Sequence, residues 1–239
     1  MYEAGFAEIY DEIHRHRGKD YAAEAAYLAH LVRARHPSAD SVLDVACGTG
    51  GHLRHLRDRF RAAEGLEVSP EMLAIARERL PGLRLHQGDM RAFRLGRRYD
   101  AITLMFSSIG YVLDQADLER TLRCLAEHLH VGGVLVIEPW VFPDTFLPGY
   151  VAADLVRDDR RSIARISHSV RDGDAVVMTV HYLHADSGGI RHLSDVHRLA
   201  LFTREQYADA FARAGCPAEF VSSDRFSRGL FVGVRTRPD

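Results

Sequence analysis

The segment Asp44-Val45-Ala46-Cys47-Gly48-Thr49-Gly50 follows a short apolar run and precedes a helical pattern of apolar residues. Glycines at the end of a strand allow a tight turn into the next helix, and they let a ligand approach the bare backbone. A dinucleotide-binding fingerprint would require a third glycine or an alanine three residues after Gly50, where this chain has Leu53. The segment therefore predicts a nucleoside-binding turn and argues against NAD as the ligand.

Apolar runs alternate with helical patterns on both sides of this turn. Ser69 and Pro70 are typical of a helix N-cap and first turn, and Asp117–Leu129 has the pattern of a helix that Gly132-Gly133 ends. The alternation predicts an α/β fold with a mostly parallel Rossmann-like sheet and helices on both faces. The expected strands are Ser41–Ala46, a run ending at Glu67, Leu83–His86, Tyr99–Met105 and Val134–Glu138, with two closing strands near Ala218–Val221 and Leu230–Val234.

The flanking segments follow other patterns. Helical spacing before the break at Pro37 predicts an N-terminal helical lid. From about Arg161 to Phe202, period-two alternation with two glycine turns predicts three long antiparallel strands of an inserted cap. Thr203 and Gln206 then have the spacing of a capping box. The expected domains are a lid over 1–37, a central domain over 38–139 and 203–239, and an antiparallel β cap over 140–202.

The composition argues against several classes of protein. The 31 basic and 33 acidic residues give a formal charge of −2, so no basic surplus favours nucleic acid or an anionic membrane as a partner. No apolar run approaches the ~20 residues that a membrane-spanning helix needs, and no signal-peptide core follows Met1. The three scattered cysteines form neither a disulfide framework nor a paired zinc motif. We therefore expect a protein of the reducing cytoplasm, without a metal site.

Two acidic residues stand at the ends of the next two strands. Glu67 follows Gly48 by 19 residues, at a place where a carboxylate can accept both hydroxyls of a ribose. Gly88-Asp89-Met90 ends the third strand with an acid for an adenine amine and an apolar side chain for its ring. The turn and both acids together resemble the binding motifs of class I S-adenosylmethionine (SAM) methyltransferases.

The resemblance implies SAM as the cofactor, with contacts from several strand ends. Structural roles stay open as alternatives: Asp44 could cap the loop, Asp89 could cap the following helix, and Met90 and Met105 could be core residues. Cys47 is expected to be a small wall residue rather than a nucleophile. The implied contacts are Asp44, Ala46, Cys47, Gly48, Gly50, Glu67, Asp89, Met90 and Met105.

Four further segments resemble a narrower family. They are Gly18–Ala26 (GKDYAAEAA), Met105–Tyr111 (MFSSIGY), Ser167–Arg171 (SHSVR) and Arg228–Gly233 (RGLFVG). Together they are similar to the N,N-dimethyltransferases of dTDP-amino sugars, which make the dimethylamino group of macrolide sugars such as desosamine and mycaminose. The resemblance extends through nearly the whole chain. It implies a dTDP-3-amino-3,6-dideoxyhexose, or its 4-deoxy relative, as the methyl acceptor in antibiotic biosynthesis.

Carried over position by position, the resemblance implies further roles. Tyr10 and Lys19, which is the only lysine of the chain, resemble lid residues that close on SAM, and Tyr21 resembles a contact to its methionine part. A guanidinium at Arg228 suits a diphosphate, because it binds phosphate oxygens bidentately. A frayed terminus, a core position and a solvated edge are the alternatives for Tyr2, Trp140 and Arg228. The implied substrate contacts are Tyr2, Ser107, Tyr111, Trp140 and Arg228.

The chain departs from the family pattern at two places. Residues 223–227 (SDRFS) replace a Gly-Pro-Ser-Gly-like turn before Arg228, and Val141 replaces a second tryptophan after Trp140. The first change affects a loop expected to border the nucleotide, and the second removes one wall of the pocket. Both leave the preference for sugar substituents open.

The expected chemistry is an in-line displacement by a neutral amine. Holding the amine in line with the bond to the methyl group can lower the barrier by up to ~7–11 kcal/mol. A neighbouring sulfonium also disfavours the ammonium form of the acceptor. We therefore expect that no single general base is essential. Tyr111 and His181 are the candidates for accepting a proton or a hydrogen bond, although a structural role for His181 is equally compatible with its strand position.

Other functions stay open at this stage. The acceptor could be a dTDP-4-amino sugar or another small molecule. The 14 histidines could include metal ligands, for example His52 with His55, or a group from the cap, although no zinc spacing matches. A SAM-binding regulator without activity is a further alternative. The oligomeric state cannot be predicted from the sequence.

Overall fold

The computed structural model describes residues 4–237, which form two sheets and six α-helices. The larger sheet has seven strands, namely β1 (Ser41–Val45), β2 (Ala62–Glu67), β3 (Arg84–Gln87), β4 (Tyr99–Leu104), β5 (Leu129–Ile137), β10 (Ala218–Ser223) and β11 (Phe226–Val234). Their order is β10-β11-β5-β4-β1-β2-β3. Strands β1 to β5 are parallel, and β11 and β10 add an antiparallel hairpin at one edge. The predicted α/β class is thus confirmed.

Four of the helices begin at residues whose side chains cap them. Asp20 accepts a hydrogen bond from the Ala23 amide, and Ser69 accepts one from the Met72 amide ahead of Pro70. At Thr203 and Gln206 both hydrogen bonds of a capping box are present, which confirms that prediction. The helices are α1 (Ala4–His16), α2 (Tyr21–Arg35), α3 (Leu53–Leu56), α4 (Pro70–Arg79), α5 (Gln115–Glu127) and α6 (Arg204–Arg213), with a 3-10 helix at Ser108–Tyr111.

The second sheet lies between β5 and α6 in the chain and is entirely antiparallel. Its strands are β6 (Tyr150–Arg157), β7 (Ser162–Asp172), β8 (Ala175–Asp186) and β9 (Gly189–Ala200), in that order. We call it the cap sheet. The three strands predicted between Arg161 and Phe202 are β7, β8 and β9, whereas β6, which precedes them, was missed. In β6 the apolar residues Val151 and Leu155 face outward, whereas Asp154 faces inward. The strand therefore lacks the usual alternation of apolar residues inside and polar residues outside.

The prediction for the end of α5 also needs correction. The helix ends at Glu127, and Gly132-Gly133 lies inside β5 rather than between helix and strand. Gly132 has φ of +83° and donates its amide to the carbonyl of Arg235, while the β4–β5 register shifts at this point. The two glycines therefore form an irregularity within the strand, a position where glycine is common in sheets.

Three apolar clusters hold these layers together. Two of them cover the opposite faces of the seven-stranded sheet. The third joins Ile9 and Ile13 of α1 to Met72 of α4 and to Val156 and Val180 of the cap sheet. Helix α1 therefore lies between the central domain and the cap sheet. Within residues 4–237, a helix with the length and apolarity needed to cross a bilayer is absent.

Candidate active site

The turn after β1 has the backbone conformation that the motif requires. Ala46, Gly48 and Gly50 all have positive φ, at 55°, 56° and 85°. A Cβ atom on Gly50 would lie 2.5 Å from a methyl carbon of Leu80, so this position needs glycine for space as well as for conformation. Ala46 pays a steric cost that glycine would avoid, and such strained residues are concentrated at ligand sites.

Glu67 links the ends of β1 and β2. Its two carboxylate oxygens accept hydrogen bonds from the amides of Gly48 and Ser69, at 2.9 and 2.8 Å. The residue is 7% exposed, and burial raises the pKa of its carboxyl group. Each oxygen keeps a lone pair for a further donor. The carboxylate is thus fixed at the edge of the sheet in a form that can accept the two hydroxyls of a ribose.

Asp44 is buried beneath the same turn. It accepts a hydrogen bond from the hydroxyl of Thr103 on β4 at 2.8 Å, and burial raises its pKa to about 6. This hydrogen bond joins β1 to β4, so Asp44 does more than cap the loop, which was the alternative role for it. Burial also raises the pKa of the neighbouring Cys47 thiol, so this side chain is a neutral wall and a poor nucleophile.

Asp89 and the two methionines occupy different surroundings. Asp89 forms a bidentate ion pair with Arg91 and bonds the Arg91 amide, in a turn that continues to Ala92. The alternative that Asp89 caps a helix was therefore wrong. Met90 is half-buried beside the core, whereas Met105 at 3% exposure belongs to it.

Helix α1 is tied to the turn by one carboxylate. Asp11 accepts a hydrogen bond from the hydroxyl of Thr49 at 2.7 Å and pairs with Arg79 of α4. The phenol of Tyr21 lies 3.5 Å from the same carboxylate and packs its ring edge-on to His52. Helix α1, the turn and α4 thus meet at Asp11, a residue that sequence reasoning missed because a single acid on a helix carries no motif.

Lys19 lies in a buried network of charges. Its ammonium lies 2.7 Å from a carboxylate oxygen of Glu24 and 4.0 Å from one of Glu138. The same oxygen of Glu24 is 2.6 Å from Nε2 of His52. The same ammonium lies 4.3 Å from the centre of the Phe106 ring. Lys19 therefore connects the start of α2 to the ends of β4 and β5, where its side chain lines a pocket.

A pocket of about 610 Å³ lies between these strand ends, helices α1 and α2 and the inner face of the cap sheet. Phe106 and Ser107, directly after β4, have φ of 56° and 60°. Two consecutive residues in the left-handed region indicate a loop held in a costly conformation by its surroundings. The Ser107 hydroxyl donates to the carbonyl of Pro139 at 2.8 Å, which fixes this loop against the end of β5.

Cations line the pocket from both sides. The Arg228 guanidinium stacks 4.5 Å from the Trp140 ring centre, donates to the Ser107 hydroxyl at 3.2 Å and lies 4.0 Å from Glu138. Arg165 of β7 lines the same pocket, with its side chain 7% exposed and 3.3 Å from Asp154. Sequence reasoning missed Arg165, because it lies outside the motif segments and both faces of β7 carry apolar residues. The arrangement can bind a diphosphate between strand hairpin and cap.

The structure separates the two candidate proton acceptors. Tyr111 lines the pocket, and its hydroxyl lies 2.8 Å from Nδ1 of His197. His181 lies on the outer face of β8, stacked on His192 with 2.9 Å between their ring nitrogens. The structure therefore does not bring His181 to the site, because Val180 and Tyr182 on either side of it face inward. The inward histidine is His197, on the next strand.

Two expected contacts cannot be located. Tyr2 lies outside the described residues, and the side chain of Tyr10 is also outside the description, although its backbone belongs to α1. Among the residues that are described, no group of three or more histidine, cysteine, aspartate or glutamate side chains is arranged to hold a metal ion.

Known methyltransferases match this chain, one family profile over its central part and individual proteins over nearly its full length. Residues 42–133 match a family profile described as a methyltransferase domain. A dTDP-3-amino-3,4,6-trideoxy-alpha-D-glucopyranose N,N-dimethyltransferase of Streptomyces venezuelae is 54% identical over 98% of this chain and 99% of its own. A dTDP-3-amino-3,6-dideoxy-alpha-D-glucopyranose N,N-dimethyltransferase of Streptomyces fradiae is 53% identical, over 98% and 92% of the two chains.

Comparison with solved structures also finds methyltransferases. The crystal structure of DesVI from Streptomyces venezuelae superposes with a TM-score of 0.93, at 53% identity over 98% of this chain and 99% of that one. SAM-bound CalS10 of Micromonospora echinaspora, an amino pentose methyltransferase involved in calicheamicin biosynthesis, gives a TM-score of 0.89 at 47% identity, over 95% and 97%. The chain therefore belongs to the dTDP-amino-sugar N,N-dimethyltransferase family of class I methyltransferases.

Proposed function

We propose that this protein transfers two methyl groups to the amine of a dTDP-3-amino-3,6-dideoxyhexose, or of its 3,4,6-trideoxy relative, with SAM as the donor. The observation that carries the proposal is near-complete coverage of two relatives that act on these two sugars, at 53 and 54% identity. The pocket supports it, since arginines from two parts of the chain face a space suited to a nucleotide diphosphate.

The turn after β1 and the two acids at strand ends fit the cofactor. When bound, SAM supplies the methyl group from its sulfonium centre. Glu67 presents a fixed carboxylate to the ribose, Gly48 and Gly50 leave the backbone open, and Asp44 keeps a buried carboxyl group beneath the turn. Asp89 would have to share its carboxylate between Arg91 and an adenine amine.

The chain's own residues hold the acceptor. Arg228, supported by the ring of Trp140, and Arg165 are placed to bind the two phosphates from opposite sides. Tyr111 and Ser107 line the pocket beside the end of β4, where the sugar amine would meet the donor. In this scheme the first methyl transfer depends on orientation and exclusion of water, which can account for several orders of magnitude in rate.

Mass spectrometry of the products tests the proposal directly. The protein is incubated with SAM and, in separate reactions, with the dTDP-3-amino-3,6-dideoxy sugar, its 4-deoxy relative and a dTDP-4-amino sugar. Two added methyl groups on a 3-amino sugar are the expected result. Methylation of the 4-amino sugar alone would replace the proposal with the specificity of a third relative, from Saccharopolyspora spinosa, which is 45% identical over 98% of this chain. No transfer to any sugar would refute it.

A further inference from the structure

Glu138, which directly follows β5, holds a loop beside the pocket. One oxygen of its buried carboxylate accepts a hydrogen bond from the Phe106 amide at 2.7 Å. The carbonyl of the next residue, Pro139, accepts a hydrogen bond from the Ser107 hydroxyl. Both loop residues have positive φ, which is a costly conformation for phenylalanine and serine. Two hydrogen bonds from the end of β5 therefore stabilise a loop conformation that is unfavourable by itself.

Residues from two sides of the pocket contact this loop. On one side, the ring of His14 in α1 packs edge-on to the Phe106 ring, with 4.6 Å between the ring centres. The Lys19 ammonium, just before α2, lies 4.3 Å from the centre of the same ring. On the other side, Arg228 of the β10–β11 hairpin donates to the Ser107 hydroxyl at 3.2 Å. The position of the loop therefore determines how the two N-terminal helices are placed relative to the hairpin arginine.

A carboxylate at this place also opposes the binding of an anion. The second oxygen of Glu138 lies 4.0 Å from the Arg228 guanidinium. A phosphate bound by Arg228 would lie close to Glu138 and be repelled by it, since both charges are negative. Arg228 has two further contacts that hold it, the Trp140 ring and the Ser107 hydroxyl. A negative charge beside the anion site is therefore unfavourable for nucleotide binding and needs another explanation.

We propose that Glu138 is a positioning residue for methyl transfer, which keeps the Phe106-Ser107 loop in its left-handed conformation although its charge weakens nucleotide binding. The charge makes the hydrogen bond to the Phe106 amide stronger than one from a neutral acceptor. Transfer requires donor and acceptor in line, and a displacement of about 1 Å can lower the rate roughly a hundredfold. A displaced loop should therefore slow turnover even while both ligands bind. The inference rests on the proposed function, because it assigns the diphosphate to Arg228.

The variant Glu138→Asp tests the contact with the loop. It keeps the charge but shortens the side chain by one methylene, which withdraws the carboxylate from the Phe106 amide. We expect kcat with the dTDP-3-amino sugar to fall at least about tenfold. The dissociation constant of dTDP, measured by calorimetry, should stay as in the wild type, and the Phe106 amide should exchange its hydrogen faster. A wild-type kcat in this variant would refute the proposal.

The variant Glu138→Gln tests the repulsion. Its amide oxygen can still accept from the Phe106 amide, but the negative charge is gone. We expect dTDP to bind about two- to fivefold more tightly than to the wild type at low salt, and the difference to decrease as salt is added. The Phe106 amide should exchange faster than in the wild type, which tests the loop contact even if Glu138→Asp folds poorly. Binding of dTDP that is no tighter than in the wild type would refute the repulsion.

Glu219→Gln is the matched control. Glu219 pairs with Arg35 on the exposed side of β10, outside the pocket, so its replacement should change neither kcat, dTDP binding nor exchange of the Phe106 amide. If both Glu138 variants lost thermal stability, kcat and dTDP affinity together, the role of Glu138 would be general stabilisation and the proposal would fail. A wild-type protein that methylates no dTDP-amino sugar would instead refute the proposed function, while amide exchange would still show whether Glu138 holds the loop.

Discussion

At the scale of single residues, Glu67 is the side chain on which cofactor affinity should depend most directly. Replacing it by glutamine keeps the size but removes the charge and turns one acceptor into a donor, which faces a backbone amide or a ribose hydroxyl. Hydrogen bonds to charged groups contribute about 1.5–3 kcal/mol. We therefore expect Glu67→Gln to weaken SAM binding roughly tenfold to a hundredfold, as measured by calorimetry. Glu78→Gln, on the exposed side of α4, is the matched control and should bind normally.

The burial of Asp44 at the site should lower the free energy of unfolding. Its pKa rises from 3.8 to about 6 on folding because burial penalises the charged form. Between these values the folded state holds a proton that the unfolded state has lost, so this group's contribution to stability decreases as the pH rises through that range. Above pH 6 the cost levels off at ~3 kcal/mol as an upper bound.

Asp44→Asn tests this linkage. Asparagine can still accept from the Thr103 hydroxyl, but it does not ionise. We expect the variant to gain stability over the wild type as the pH is raised from 4 to 7, and to lose SAM affinity at the same time. Urea denaturation at both pH values measures the first effect. A stability difference independent of pH would show that Asp44 does not carry a raised pKa.

At the scale of elements, helix α1 depends on Asp11 for its attachment to the turn. Removing this carboxylate breaks the contact with Thr49 and leaves Arg79 without its partner, while Ile9 and Ile13 keep their apolar packing. We expect Asp11→Ala to lower the hydrogen-exchange protection of Ala4–His16 and to speed the dissociation of SAM. Arg77→Gln, exposed on α4, should change neither quantity. Unaltered exchange in the Asp11 variant would show that apolar packing alone holds the helix.

The same scale shows what the sequence could predict. The strand ends beside Gly48, Glu67 and Asp89 were located correctly, because β1 and β2 are buried strands and the more exposed edge strand β3 is followed by Gly88. In the cap sheet, by contrast, both faces carry apolar side chains, such as Val180 inside and Leu183 outside. Alternation then shows that a segment is a strand, but not which of its two faces turns toward the pocket. This is why His181 was predicted at the site and His197 was missed.

Other contacts could not be predicted because they join distant parts of the chain. Arg228 meets Ser107 across 121 positions, and Tyr111 meets His197 across 86. No local spacing indicates such pairs, and the resemblance to a family supplied no role for His197, Arg165 or Asp11. Asp11 and Arg165 lie outside every motif, so their contacts became visible only once α1 and β7 had been placed.

At the scale of the whole molecule, the pocket joins the cap sheet to the central domain. Arg165 belongs to the cap sheet and Arg228 to the β10–β11 hairpin, so a diphosphate that both arginines bind would connect the two parts. A ligand that binds only the folded state stabilises it by RT ln(1 + [L]/Kd), about 2.7 kcal/mol at a hundred times Kd. Binding of dTDP alone should therefore raise the melting temperature and protect β7 to β9 from hydrogen exchange.

The two arginines should contribute to this coupling independently of SAM. We expect Arg165→Gln and Arg228→Gln each to weaken dTDP binding by about tenfold or more, since each loses a charge-assisted hydrogen bond to phosphate. Added salt should weaken wild-type binding more than it weakens binding by either variant. Arg198→Gln on the outer face of β9, where Arg198 pairs with Asp172, is the matched control. If Arg165→Gln bound dTDP like the wild type while Arg228→Gln did not, the diphosphate would be held by the hairpin alone, and the cap would have to contact the sugar or the base instead.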